Sequence, residues 1–533
     1  MPISRLYHTL RPLRWQQYWY RFFYPLKKRW YNAPEAPEPA IQAALSHRQN
    51  PLFTLPSFDT YHPAYNAYNL LNIQQGFELF GTDWNAPQQE LLWAYHLNYF
   101  NWLKDEQLGI GDKLATISSY ILAAERNQLR VGLDAYPISL RGINWIRFFI
   151  TTGICEPVFL QYLYQHYHRL HAFPEYHLQA NHLWENGCSL FCAGLYFRDD
   201  SFYQKGKKIL QQAFKDQLFS DGGHVEGSPV YHSLLLERLL QCIELAQQLK
   251  HADDEIFINT LRTKAAAMLG WLQEMTYCNN KLPMVNDSAY EMAPDVETLG
   301  AFARSLSVFP EKMKLSSSGY RMIRQNGYEL FIDMADILPA YQPGHAHADT
   351  FSFCLGVNGQ EIIIDPGIST YEDNAVRHWE RSTNAHNTIS IGQQNSSDVW
   401  KSFRTGKKAR VISGTESADN ITVRHDGFKN MNVIHCRSFT FLKNKIIIED
   451  TLEGRPDGNA LLCLHFHKGI VLKEIEPFRF LAGNLLVNIE KAKQVFKESY
   501  SYAEGFNKTS AAERLCISLN ISSMITLELL HAD

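Results

Sequence analysis

From about residue 60 to 305 apolar positions recur every three or four residues; beyond residue 316 they alternate. The helical period runs through 84–106, 114–127, 136–151, 157–176, 181–197, 202–217, 233–250 and 256–275. The links are short and hold Gly, Pro or Asp, so successive helices should fold back as antiparallel neighbours. No fixed-period repeat accompanies them, which leaves a helical toroid or a solenoid. Strand-like runs follow at 319–324, 328–334, 351–357, 361–364, 388–391, 421–425, 432–441, 445–450 and 460–467. Asn358-Gly359 between two of these is a two-residue hairpin signal. Many strands without intervening helices predict an antiparallel β-sandwich.

The chain is therefore read as an α+β multidomain protein. A basic, aromatic segment and linker covers 1–59, a helical domain 60–310 and a β-sandwich 316–533, with Pro34, Pro37 and Pro39 marking the linker. Its 533 residues exceed what one hydrophobic core serves. Apolar content of 45% suffices for folded cores, and a net charge of −4 argues against a general nucleic-acid binder. Nine cysteines, odd in number and without a Cys-x-x-Cys pair, fit a reducing compartment. No apolar run reaches the roughly 20 residues of a membrane span or forms a signal-peptide core. The expected location is cytoplasmic. Residues 1–30 hold seven Arg or Lys, many aromatics and no acid. This segment could rest peripherally on an anionic membrane. The plainer expectation is a helix packed on its own domain or on a partner.

Chemistry-bearing residues gather in two places. Gly344-His345-Ala346-His347-Ala348-Asp349, Asp365 before Pro366-Gly367, and His386 lie where strand patterns meet turns. His345, His347 and Asp349 share parity, so a strand would turn them to one side. Imidazoles with a carboxylate form a zinc-type ligand set, although histidines bonded to loop carbonyls account for the spacing too. The second cluster is helical: Asn181, His182 and Glu185, followed by Gly223-His224-Val225-Glu226 and Tyr231-His232 in a Gly-rich stretch before a strong helix. Arg377, Arg381, Lys401, Arg404, Lys407, Lys408 and Arg410 predict a basic surface suited to an acidic sugar.

Taken together, the stretches 180–186, 221–232, 344–349 and 365–367, with Tyr371, 381–388 and Phe403-Arg404, resemble the heparinase II/III family of polysaccharide lyases. Residues 95–99 and 136–141 look like its toroid sequences, and the resemblance covers roughly 60–470. It implies an incomplete (α/α) toroid followed by an antiparallel β-sandwich, with the substrate between them. It also implies β-elimination on a uronic acid. Asn181 and His182 match positions that neutralise the uronate carboxylate and serve as base; Glu185 matches one that keeps protonation suitable. Tyr231 matches the catalytic tyrosine, His345 a further histidine at the cleft and Tyr371 a second tyrosine. His347, Asp365 and His386 match zinc ligands, the metal organising the β-domain loops rather than performing chemistry. The implied partner is an anionic polysaccharide or oligosaccharide, met in biosynthesis or intracellular catabolism. A non-catalytic glycan-binding or assembly protein, and a glycoside hydrolase using Glu185 and Glu226, are the alternatives.

Overall fold

A computed structural model describes residues 3–78, 81–250, 254–325 and 327–530. Helices of the first half alternate between two layers. Ala180–Phe197 packs against both Ala135–Thr152 and Pro229–Leu249 to form the inner layer. Pro157–Ala172, Asp200–Gln217 and Glu255–Met275 cover them from outside. A helix apolar on all sides belongs in such an interior. In Ala180–Phe197 every residue but His182 is buried, so His182 marks where that helix meets open space. Its outer neighbour approaches closely because two positions lack side chains. A Cβ at Gly194 would lie 2.4 Å from the Tyr203 backbone nitrogen, and one at Gly206 2.4 Å from that of Phe191.

Two parts of the helical reading are corrected. Residues 60–76 contain a small three-stranded antiparallel sheet, Thr60–His62, Ala67–Leu70 and Ile73–Gly76. The span 84–106 is not one helix: Leu91–Leu97 stops, Phe100 turns left-handed (φ 60°) and a 3-10 turn, Asn101–Lys104, follows. Phe100 and Trp102 both pack against Trp84, at 5.1 and 6.4 Å between ring centroids. On a continuous helix they would point about 200° apart. Burying both rings in one cluster breaks the helix.

The sandwich begins with a four-stranded meander, Tyr320–Gln325, Tyr328–Asp333, Phe353–Val357 and Gln360–Ile363. It packs through Leu330, Phe353 and Leu355 against a ten-stranded sheet, whose inner face includes Val423, Phe439 and Ile448. The spine of that sheet is a long hairpin, Leu485–Gly505 with Lys508–Leu529, which the sequence reading did not identify. Charges such as Glu490, Lys491, Lys493, Lys497 and Glu498 interrupt its apolar alternation.

The N-terminal segment forms Ile3–Leu10 and Trp15–Arg29, docked across both halves. Arg5 pairs with Asp398 of the sandwich at 2.7 Å and Arg14 with Asp216 of the helical domain at 2.6 Å. Gln17 Nε2 donates to Gln342 Oε1 (2.7 Å), and the Tyr24 hydroxyl to the Pro174 carbonyl (2.7 Å). Among the described residues, no helix is long and apolar enough to cross a membrane.

Candidate active site

A cleft of about 630 Å³ lies between the helical layers and the sandwich loops. Asn181, His182, Glu185, Tyr231, His345 and Tyr371 all line it, with Arg21, Lys401 and Arg404 at its walls.

Asn181 and His182 enter from the start of Ala180–Phe197, after two successive residues with positive φ, Gln179 (67°) and Ala180 (48°). Such conformations cost on the order of 1–3 kcal/mol each and cluster at functional sites. The Asn181 amide donates to both Glu226 carboxylate oxygens at 2.9 Å and lies 3.2 Å from His345 Nε2. His182 Nδ1 meets Glu175 Oε1 at 3.2 Å. Burial works against its cation, yet Glu175, supported by Glu226 and Glu185, holds its pKa above the ordinary histidine value.

Tyr231 comes from the first turn of Pro229–Leu249, not from the loop before it. That helix starts four residues earlier than its apolar period indicates, because Ser228 caps the Tyr231 amide and Pro229 takes the first position. The Tyr231 hydroxyl sits 3.0 Å from that of Tyr371, and its ring 4.2 Å from His345. Burial raises the pKa of both Tyr231 and Tyr371, so both phenols keep their protons at neutral pH.

His345 and His347 do not share a strand. Residues 344–349 form a loop, whose His345 carbonyl accepts from the Asp287 amide at 3.1 Å. Asp287 organises the junction. Its Oδ2 meets His345 Nδ1 at 2.8 Å, its Oδ1 meets His347 Nε2 at 2.9 Å, and Arg377 grips both oxygens at 2.6 and 2.7 Å. Burial opposes the Asp287 charge, but Arg377 and the two histidines hold its pKa well below the carboxylate range. Nothing periodic marks Asp287 in the sequence, and it was not singled out there. With Nδ1–H of His345 donated to Asp287, Nε2 is the acceptor side of the ring at the cleft, where the Asn181 amide reaches it at 3.2 Å.

The basic surface read from 377–410 is also corrected. Arg377 and Arg381 are 0% and 1% exposed. Arg377 neutralises Asp287, and Arg381 donates to the Ala346 and Lys401 carbonyls. Only Lys401 and Arg404 of that group reach the cleft.

Glu185, buried beside Arg238 (3.1 Å), is a residue whose proton matters. Burial, opposed by Arg238 and aided by Glu237, pushes its carboxyl from 4.5 up to about 7. The folded chain thus holds this proton more tightly than the unfolded one. The resulting stability is complete below about pH 4.5 and is lost as pH rises through about 7. Glu185→Gln should remove that dependence, about 3 kcal/mol across the window, seen as a flatter melting profile between acid and neutral pH.

His347, Asp365 and His386 lie behind the cleft and do not line it. His386 Nδ1 meets Asp365 Oδ2 at 2.8 Å, and the two imidazole rings are 5.2 Å apart. His347 is fully buried with Nδ1 lacking a partner while Nε2 is held by Asp287, the arrangement of a ligating histidine oriented by a carboxylate. The donor set fits zinc in kind. Among the described residues, however, no three His, Cys, Asp or Glu side chains are gathered as a ready-made cage.

A helical toroid joined to an antiparallel sandwich is the fold this chain shares with solved glycan lyases. Heparinase III superposes with a TM-score of 0.67 at 16% identity, covering 100% of this chain and 94% of that one. Heparan sulfate lyase from Pedobacter heparinus gives 0.57 at 17%, covering 97% and 88%. The chain belongs to the heparinase II/III family: the family's N-terminal model matches residues 138–316 and its heparinase II/III-like C-terminal model residues 310–523, together more than half of the chain. A heparin-sulfate lyase of Bacteroides thetaiotaomicron is 27% identical over 318 residues, 51% of this chain and 43% of that protein. Another from Pedobacter heparinus is 25% identical over 347 residues, 58% and 50% of the two chains. The chain thus spans about half the length of these curated relatives.

Proposed function

We propose that this protein is a lyase that cleaves a uronate-containing glycan, of the class its heparin-sulfate lyase relatives are named for, by β-elimination. The observation that carries this reading is the convergence of Asn181, Tyr231 and the Asp287–His345 pair on one cleft. The C5 proton of a uronate is weakly acidic, so negative charge on the carboxylate must be met by hydrogen-bond donors as the proton leaves. Asn181 Nδ2 and His182, whose proton Glu175 helps to hold, are those donors. His345 Nε2 takes the C5 proton. The C4–C5 double bond forms as the C4–O4 bond breaks, and the protonated Tyr231 gives its proton to the departing O4. Tyr371 steadies the Tyr231 hydroxyl, and Glu185 with Arg238 sets the charge behind Asn181 and His182.

The test is incubation with a panel of uronate glycans, following ultraviolet absorbance of the unsaturated product and its mass. No absorbance rise on any of them overturns the reading; products that have gained water point to hydrolysis.

Zinc belongs to the same proposal, in a structural role, with His347, Asp365 and His386 as ligands. Bound there it would tie three sandwich loops together behind the cleft; the chemistry above needs nothing from it. The buried, partnerless Nδ1 of His347 supports this. Purified protein should carry about one zinc per chain by elemental analysis, lost in His347→Ala together with several degrees of melting temperature. Metal-free protein with an undiminished melting point contradicts the assignment. A cytoplasmic setting goes with the proposal, supported by nine cysteines that all stand free; cell fractionation tests it.

A further inference from the structure

The helix Trp15–Arg29 is amphipathic the wrong way round. Its inward face carries Gln17, fully buried and bonded to Gln342, and Arg21, which lines the cleft. Its outward face carries Trp15, Trp19, Phe22 and Leu26 at helical spacing, exposed by 70%, 55%, 76% and 50%. Trp30 (80%) follows at the C-terminal end, and Ile3 (88%) stands exposed on the preceding helix. Monomeric proteins rarely leave contiguous apolar patches of this kind uncovered.

Charge identifies what covers it. Residues 1–30 contain no acid, and Arg11, Lys28 and Arg29 stand exposed around the patch. Beneath the helix lies a second cavity of about 560 Å³, walled by Tyr20 and Tyr176 stacked at 4.8 Å and by Lys27, Lys205, His168 and His171. Lys27 and Lys205 make its wall basic. A second copy of the chain would bring the same positive charge against this face, and a hydroxylated glycan gains little from Ile3, Phe22 or Leu26. Tryptophans and aliphatic side chains ringed by Lys and Arg are the composition of an interfacial helix.

We propose that residues 3–30 dock the protein on an anionic lipid surface, Trp15, Trp19, Phe22, Leu26 and Trp30 entering the interface while a headgroup phosphate sits between Lys27 and Lys205. Because Arg21 of the same helix lines the cleft, docking holds the site about one helix diameter, ~10 Å, from the headgroups.

The test is flotation of the full chain with phosphatidylcholine vesicles, neutral or containing about 30 mol% phosphatidylglycerol. The protein should float with the anionic vesicles only, less so at high salt. Trp19→Asp with Phe22→Asp should lower the bound fraction about tenfold at an unchanged melting temperature. Lys205→Glu, on a different helix, should lower it several-fold and covers the case in which the first variant misfolds. Absence of flotation overturns the proposal, as does equal binding to neutral vesicles. A dimer that Phe22→Asp dissociates without any flotation assigns the face to a second copy. Retention on an immobilised glycan, without flotation, assigns it to sugar.

Discussion

Tyr231→Phe should lower turnover on a uronate glycan by about two to four orders of magnitude, the usual contribution of a positioned proton donor. The substitution keeps the ring against His345 and removes only the hydroxyl, whose partner is Tyr371 at 3.0 Å. Loss of one such hydrogen bond costs about 1 kcal/mol, so melting should barely move. KM should stay close to the wild-type value, because the proposed mechanism gives the carboxylate to Asn181 and His182 and not to Tyr231. Steady-state kinetics on product absorbance separate the two parameters. A variant that keeps most of its kcat assigns the proton donor elsewhere. Tyr371→Phe is the matched comparison, since that residue touches the hydroxyl of Tyr231 and should act more weakly.

Asp287 carries the largest expected effect on stability. Arg377 is buried and its bidentate partner is Asp287, so Asp287→Ala leaves a cation without its counter-ion in the interior. Removing one member of a buried pair costs about 3–5 kcal/mol. A marked fall in the apparent melting temperature, with partial proteolysis at the seam between domains, is the expected outcome. Asp287→Asn keeps the shape and should melt at an intermediate temperature. It should still lose most activity, because an amide does not fix the His345 tautomer that leaves Nε2 free. Wild-type melting in Asp287→Ala is incompatible with a seam held by this group.

The six residues that line the cleft were singled out because the stretches around them resemble a known family, while their spacing alone left packing and surface roles open. The architecture was legible because period 3.6 and period 2 are separated cleanly near residue 316. What escaped had no period to show. Asp287 lies in an irregular loop, and its partners are 58, 60 and 90 residues away. Arg377 and Arg381 read as solvated charges because nothing local tells a paired, buried guanidinium from an exposed one. Ser228-Pro229 was a readable helix start, but the apolar period placed the beginning later. The long hairpin was obscured by charges on its exposed side.

The span of the N-terminal docking has a consequence for how the chain is made. Arg5 and Asp398 lie 393 residues apart. Closing so long a loop costs about 5 kcal/mol from its length alone, more than the roughly 0–1 kcal/mol a part-exposed ion pair returns. The segment therefore finds its place only after both domains have formed. During synthesis Gln17 and Tyr24 precede the surfaces that receive them, while the tryptophans beside them stay exposed, which makes this short stretch a part of the chain in need of a chaperone's shelter.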